Sequence, residues 1–237
     1  MKTFDFYEFT GILVPGSITI VAVLLLFPQS RTTFFPPDLT VGDLGLFVVL
    51  AYAAGHITQA VGNGVEWLLW RIMGGMPTDW IRTRTHQLLA EEQIHALPAK
   101  LSSELNIHIT TIDATHPSSR AWYSLTRQIY AAVAAQSRNE RVDTFNGNYG
   151  LNRGIASALL IGLILLLFVH GFIYWQFVLL LLISAGIALY RTYRFGVRYA
   201  RELYIQFLQL PVNGNTTTTS FDESSQVKKE ETKPDEQ

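Results

Sequence analysis

Residues 154–190 read GIASALLIGLILLLFVHGFIYWQFVLLLLISAGIALY, 37 positions without one Asp, Glu, Lys or Arg. A helix rises about 1.5 Å per residue, so about 20 apolar residues cross a hydrocarbon core of about 30 Å. The stretch is too long for one crossing, and His170-Gly171 near its middle offers a turn between two short spans. Outward from it, Phe9–Ser30 and Leu44–Val65 are each 22 residues without a charge, one crossing apiece. A cleaved signal peptide fits the first of these poorly, because Asp5 and Glu8 precede it and no A-x-A-like site follows. Pro28 and Pro36-Pro37 mark a loop between two spans, with Phe27, Phe34 and Phe35 suited to an interfacial aromatic belt. The expected fold class is therefore an all-α membrane protein with four transmembrane helices and a small, mainly helical cytoplasmic domain between spans two and three.

The 237 residues are 49% hydrophobic and only 16% charged, against about 25% charge in ordinary globular chains. With no Cys, thiolate metal sites, dithiol redox chemistry and a Cys nucleophile are excluded. The net charge of −1 hides an asymmetry: of 18 Lys and Arg, only Arg31 falls on the side opposite the termini. The positive-inside rule then places both termini and the segment from Glu66 to Arg153 in the cytoplasm, with Arg71, Arg153, Arg191 and Arg194 at the membrane edges.

These readings divide the chain into an N-terminal transmembrane hairpin (1–65), a cytoplasmic domain (66–153), a C-terminal transmembrane hairpin (154–190), a basic amphipathic helix (191–211) and a tail (212–237). The tail, rich in Thr, Ser, Glu and Lys, has too little apolar surface to order itself. In the cytoplasmic domain, Thr78–Leu97 has helical spacing, capped by Thr78 and ended by Pro98, and a short helix follows through Leu105. Asn106–Ile112 (NIHITTI) alternates like a strand or an extended linker. A long helix is expected from Ser118 or Ser119 to Phe145. About 85 residues are near the lower limit for an independent core, which favours packing against the membrane domain or further copies of the chain.

Three polar constellations stand out. His56, Gln59, Asn63 and Glu66 recur at spacings of three, four and three, which puts them on one face of span two, with Gly55, Gly62 and Gly64 permitting close helix approach. Polar side chains in hydrocarbon are expensive, so the stripe either lines a pore or gate or bonds helix to helix. His56 has no partner at metal-ligand spacing, and no metal or cofactor is expected. Arg191, Arg194, Arg198 and Arg201 form a basic stripe among aromatic residues. It reads as an anchor to anionic headgroups or as a charged vestibule that could pair with Glu66. Arg82, Arg84, Arg120 and Arg127, beside Trp80, Trp122 and Tyr123, have the forks and rings that suit phosphates and stacked bases. Between Arg71 and Asn152, eight basic residues face seven acidic ones, so a solvated surface over core aromatics is the rival reading.

No H-E-x-x-H, G-x-S-x-G, G-x-x-x-x-G-K-[ST] or G-x-G-x-x-G occurs. Asp113 and His116 alone make a weak acid–base pair, so an enzyme is not expected. The segments YEFTGILVPGS, GHITQAVGNGVE and FNGNYGLNRG resemble the Hailong-type membrane effectors encoded beside nucleotidyltransferases in bacterial antiviral operons, over roughly Phe6 to Leu210. That resemblance implies a homo-oligomeric inner-membrane ion channel with a cytoplasmic crown. A short single-stranded DNA on the crown would hold the channel shut, and loss of the DNA would open it and arrest growth. In this reading Arg82, Arg84, Arg120 and Arg127 clamp phosphates, Trp122 or Tyr123 stacks bases, and the stripe on span two, with Arg191, Arg194 and Arg198, forms pore or gate. A non-conducting scaffold that recruits a cytoplasmic partner remains the alternative.

Overall fold

The computed structural model describes residues 6–30 and 40–211. Arg31, Phe34, Phe35, the Pro36-Pro37 pair and the tail from Val212 lie outside them. The described residues form helices and connecting loops, without a strand: α1 (Phe6–Leu26), α2 (Val41–Ile72), a 3-10 turn (Pro77–Asp79), α3 (Trp80–Thr83), α4 (Glu91–Leu105), α5 (Ser119–Ala135), α6 (Glu140–His170) and α7 (Trp175–Leu208). The helices α1, α2, α6 and α7 are each long and apolar enough to cross a membrane.

Local chemistry sets the helix ends. Thr40 opens α2 with a reciprocal cap, its hydroxyl accepting from the Asp43 N–H at 3.3 Å while its own N–H donates to the Asp43 carboxylate at 2.7 Å. His170 closes α6 and Gly171 turns the chain at φ 61, as the sequence anticipates, so residues 154–190 form two helices. At 31 and 34 residues, α6 and α7 are about 46 and 51 Å long, well beyond one hydrocarbon core. Both therefore run out of the apolar bundle into the polar subdomain.

Close approach of α1 to α2 depends on two glycines. A Cβ at Gly16 would lie 1.8 Å from the Ala51 carbonyl oxygen, and one at Gly55 would lie 2.2 Å from the Ile12 carbonyl oxygen. Small residues in register let the backbones touch, and that contact holds helices together where lipid offers no hydrophobic drive. Thr19 and Thr58 bridge the same interface through their hydroxyls at 2.9 Å.

The second core is in the polar subdomain, where Trp80, Ile81, Leu97, Leu101, Trp122, Ile129 and Val133 pack on Leu203, Tyr204 and Phe207 of α7. The apolar face of residues 191–211 is thus committed to this core. It does not lie on a headgroup layer, because Ala200, Leu203, Tyr204 and Phe207 have no exposed surface. This is how so short a segment as 66–153 acquires an interior: it borrows one helix end from the bundle.

Three expected elements differ. The helix over Thr78–Leu97 is broken: Arg84 takes a left-handed conformation (φ 56), closing α3, and α4 begins only at Glu91. Pro98 does not end a helix but lies inside α4, where the fully buried Leu97 and Leu101 on either side outweigh one missing backbone bond. The long helix from Ser118 stops at Ala135, although Ser118 caps it as expected. Ser137 is left-handed (φ 55), its N–H bonding to Ala134 O and that of Arg138 to Val133 O, a Schellman closure made without glycine. Asn106–Ile112 is an extended linker whose Ile107, Ile109 and Ile112 pack on the core.

Candidate functional site

A proline creates the need that organises the site. Pro15 sits inside α1 and has no N–H, so the Gly11 carbonyl lacks its usual donor four residues on. The Gln59 side chain of α2 supplies one, its Nε2 donating to Gly11 O at 2.6 Å. The Gln59 carbonyl oxygen in turn accepts from Arg153 Nη2 of α6 at 2.9 Å. Arg153 Nη1 reaches Glu66, about two helical turns further along α2, and forms an ion pair with it. Three helices are thereby tied through one guanidinium.

Small residues make room for this junction. Gly62 lies between Gln59 and Glu66, and a Cβ there would lie 3.6 Å from Arg153 Nε. Gly154 receives the Pro15 ring, whose Cγ would lie 2.6 Å from an added Cβ. The Arg153 guanidinium also sits 5.9 Å from the Tyr149 ring centroid, and Tyr149 OH accepts from Trp70 Nε1 at 2.8 Å. Arg153 Nε is buried without a partner among the described residues.

The stripe on span two therefore splits. Gln59 and Glu66 turn inward to Arg153, whereas His56 and Asn63 are exposed on the outer side of α2. His56 has an edge-on contact with Tyr52, centroids 4.8 Å apart. The vestibule pairing of Glu66 with the α7 arginines is not found, because Arg153 occupies that carboxylate. Arg191, Arg194 and Arg198 remain exposed, steadied on aromatic faces: Arg191 and Arg198 over Phe195 and Arg194 over Tyr190, at 5.5 to 5.8 Å. Arg201 donates to Leu88 O at 3.1 Å.

The expected phosphate clamp also divides. Arg82 is only 5% exposed and is spent on structure, with a two-pronged bond to Asp79 (2.9 and 3.0 Å) and further bonds to Ser119 Oγ and Ala114 O. Trp122 is a core residue whose indole N–H donates to Thr78 O at 2.7 Å and whose ring stacks near Tyr204. The fork of Arg82 is filled, and Trp122 is enclosed except where its ring lines the cavity beneath α5. Arg84 is exposed and paired with Glu91 at 3.1 Å. Arg120, Tyr123 and Arg127 stay together on one exposed face of α5.

Beneath that face is a cavity of about 850 Å³, walled by Tyr123, Arg127, Tyr130 and Ala131 of α5, Asn146, Tyr149 and Arg153 of α6, Tyr199 of α7, and Glu66 and Trp70 of α2. A shallower groove of about 500 Å³ shares Glu66, Trp70 and Met76 with it and continues past Asn63, Trp67 and Arg71 on the outside of α2. Beside the cavity, Tyr130 OH donates to Asp143 at 2.7 Å, and burial raises the Tyr130 phenol above its ordinary value.

Asp113 is no free base. Its Oδ1 accepts from the Thr115 hydroxyl at 2.7 Å and from the Thr115 and His116 N–H groups at 2.8 Å, which holds the carboxyl down at about 2.

Arg153 is the residue at the centre of this junction that sequence reasoning missed, having served there only as a topological marker. A detectable signal existed: Pro15 leaves a carbonyl that needs a donor, and Glu66 at a membrane edge needs a cation. Comparison with known protein families, curated proteins and solved structures finds no match to this chain.

Proposed function

We propose that this chain is one subunit of an oligomeric ion channel of a bacterial inner membrane, both termini cytoplasmic, gated by a nucleotide ligand on the polar subdomain. The observation that carries the reading is the exposure of His56 and Asn63 on the outside of a helix long and apolar enough to span. Polar groups at that depth are costly against lipid. They call for a neighbouring subunit or a water-filled path, and a ring of copies supplies both. Arg120, Tyr123 and Arg127 are the uncommitted part of the ligand face, and the resemblance of the sequence to Hailong-type effectors adds short single-stranded DNA as the ligand and antiphage growth arrest as the outcome. A ligand that holds a two-state channel shut must favour the closed state by about 5.5 kcal/mol to move it from 1:99 to 99:1. Because α6, like α7, runs from the polar subdomain into the bundle, and because it also carries Arg153, it is an element that can transmit the change.

Flux from liposomes holding the purified protein, with and without short oligonucleotides, tests the proposal. His56→Leu with Asn63→Leu should alter conductance at unchanged expression, and Arg120→Ala with Arg127→Ala should abolish the oligonucleotide effect. Flux indifferent to oligonucleotides and to both pairs would refute it. The scaffold reading draws on the inward half of the stripe, where Gln59 and Glu66 serve as bonding between helices. It predicts no flux at all.

A further inference from the structure

We propose that the 850 Å³ cavity between α5 and the ends of α2 and α6 is a second, small-molecule site, which takes an amphipathic anion: an acidic head on Arg127 and a planar or apolar body along Tyr123 and Tyr199. It opens beneath the proposed oligonucleotide face and shares Tyr123 and Arg127 with it, and a half-open space of this size suits a molecule of drug size rather than a length of polymer.

The sign of the guest follows from which wall groups are already committed. Asp79 is held by Arg82 and Glu66 by Arg153. Tyr130 OH is spent on Asp143, Tyr149 OH on Trp70, and the Trp122 indole on Thr78 O. Of the charged and amide groups, Arg127 and Asn146 remain, neither with a hydrogen-bond or ion-pair partner among the described residues, and the Tyr123 and Tyr199 hydroxyls add two further donors. The wall therefore offers a guest one unneutralised cation and one amide, set in a mainly aromatic lining. A guanidinium binds phosphate, sulfate or carboxylate as a planar fork and stacks on rings, so an anion joined to an aromatic or apolar body uses both parts. The Arg153–Glu66 pair also lines the cavity, and among the described residues the buried Arg153 Nε has no acceptor. A guest is thus in the same space as the junction of α1, α2 and α6.

A phosphate on an apolar body can come from solution or from a lipid headgroup, and the measurement separates the sources. Purified full chain in neutral detergent is titrated with phenyl phosphate, inorganic phosphate and phenol, read by quenching of tryptophan fluorescence, since Trp70 and Trp122 are in the wall. The same titration is repeated in nanodiscs of phosphatidylcholine with and without phosphatidylglycerol. Saturable quenching by phenyl phosphate, weaker for either half-molecule, is expected. Arg127→Gln should weaken it about tenfold. Ala131→Trp, which fills the space from an exposed helix position, should abolish it, while Ala135→Trp, exposed on the same helix outside the wall, should leave it unchanged. Suppression by phosphatidylglycerol alone would identify the headgroup as the natural occupant; no such suppression would identify a soluble anion. Absence of saturable binding in detergent and nanodiscs, or binding by Ala131→Trp and Arg127→Gln equal to that of the parent, overturns the proposal. Binding is measured without flux, so its failure leaves the channel reading untouched, and the reverse holds too.

Discussion

Replacing Gln59 by Leu isolates the consequence of a proline in a spanning helix. The change deletes two bonds, one to the Gly11 carbonyl at 2.6 Å and one from Arg153 at 2.9 Å. Interhelical hydrogen bonds in membranes average about 0.6 kcal/mol and reach about 1.7. The bond from the guanidinium is charge-assisted and stands at the upper end of that range. The expected loss is therefore about 1–3 kcal/mol. Pro15→Ala supplies the second side of a double-mutant cycle. The substituted alanine brings its own N–H to Gly11 O, which removes the need for Gln59, while the ring's contact with Gly154 is lost, about 1–2 kcal/mol of packing offset by relief of the helix-interior proline. In the Pro15→Ala background, Gln59→Leu should cost about 1 kcal/mol less than in the parent. Unfolding in mixed micelles, followed by circular dichroism, measures all four corners. Additivity within about 0.4 kcal/mol, the normal tolerance for independent sites, would show that Gln59 does not serve the proline-freed carbonyl.

Other substitutions separate tight from open positions. Gly16→Ala, which drives a Cβ into the Ala51 carbonyl, should destabilise the bundle by about 1–3 kcal/mol, whereas Gly186→Ala, with nothing within 4 Å, should be neutral or slightly stabilising in the same micelle assay. Arg82→Ala strips the partner from a half-buried Asp79 and should cost about 3–5 kcal/mol, measured by loss of ellipticity and by proteolysis of the polar subdomain. Arg84→Ala removes only an exposed pair and should stay within about 0.5 kcal/mol. The folded Asp113 carboxyl lies below its unfolded value, so its contribution is present above about pH 4 and is lost as pH falls towards about 2. A carboxyl titration by NMR should show that midpoint in the folded chain, and Thr115→Ala should raise it.

Single-residue spacing made part of the site legible. The stripe at 56, 59, 63 and 66 could be read because helix periodicity is local, and the capping by Ser118 because its chemistry spans three residues. The division of that stripe could not be read. Whether Gln59 or Asn63 faces inward depends on where α6 lies, and nothing within α2 encodes that. Arg82 and Arg84 look alike as text, yet one is buried in a filled fork and the other is exposed. The break at Ser137 was hidden because a serine adopted the left-handed turn that glycine usually signals.

Runs without charge marked by themselves the four helices apolar enough to cross a membrane and where the chain turns between the last two, since desolvating a charge in hydrocarbon is too costly for any packing arrangement to ignore. Tertiary structure alone decided that residues 191–211 complete the polar subdomain, that Trp122 belongs to its core, and that Arg153 ties three helices at the carbonyl released by Pro15. The first outcome is a property of each segment in its solvent. The others are pairings across 44 to 126 residues of sequence, and their energies arise only after the partners have met.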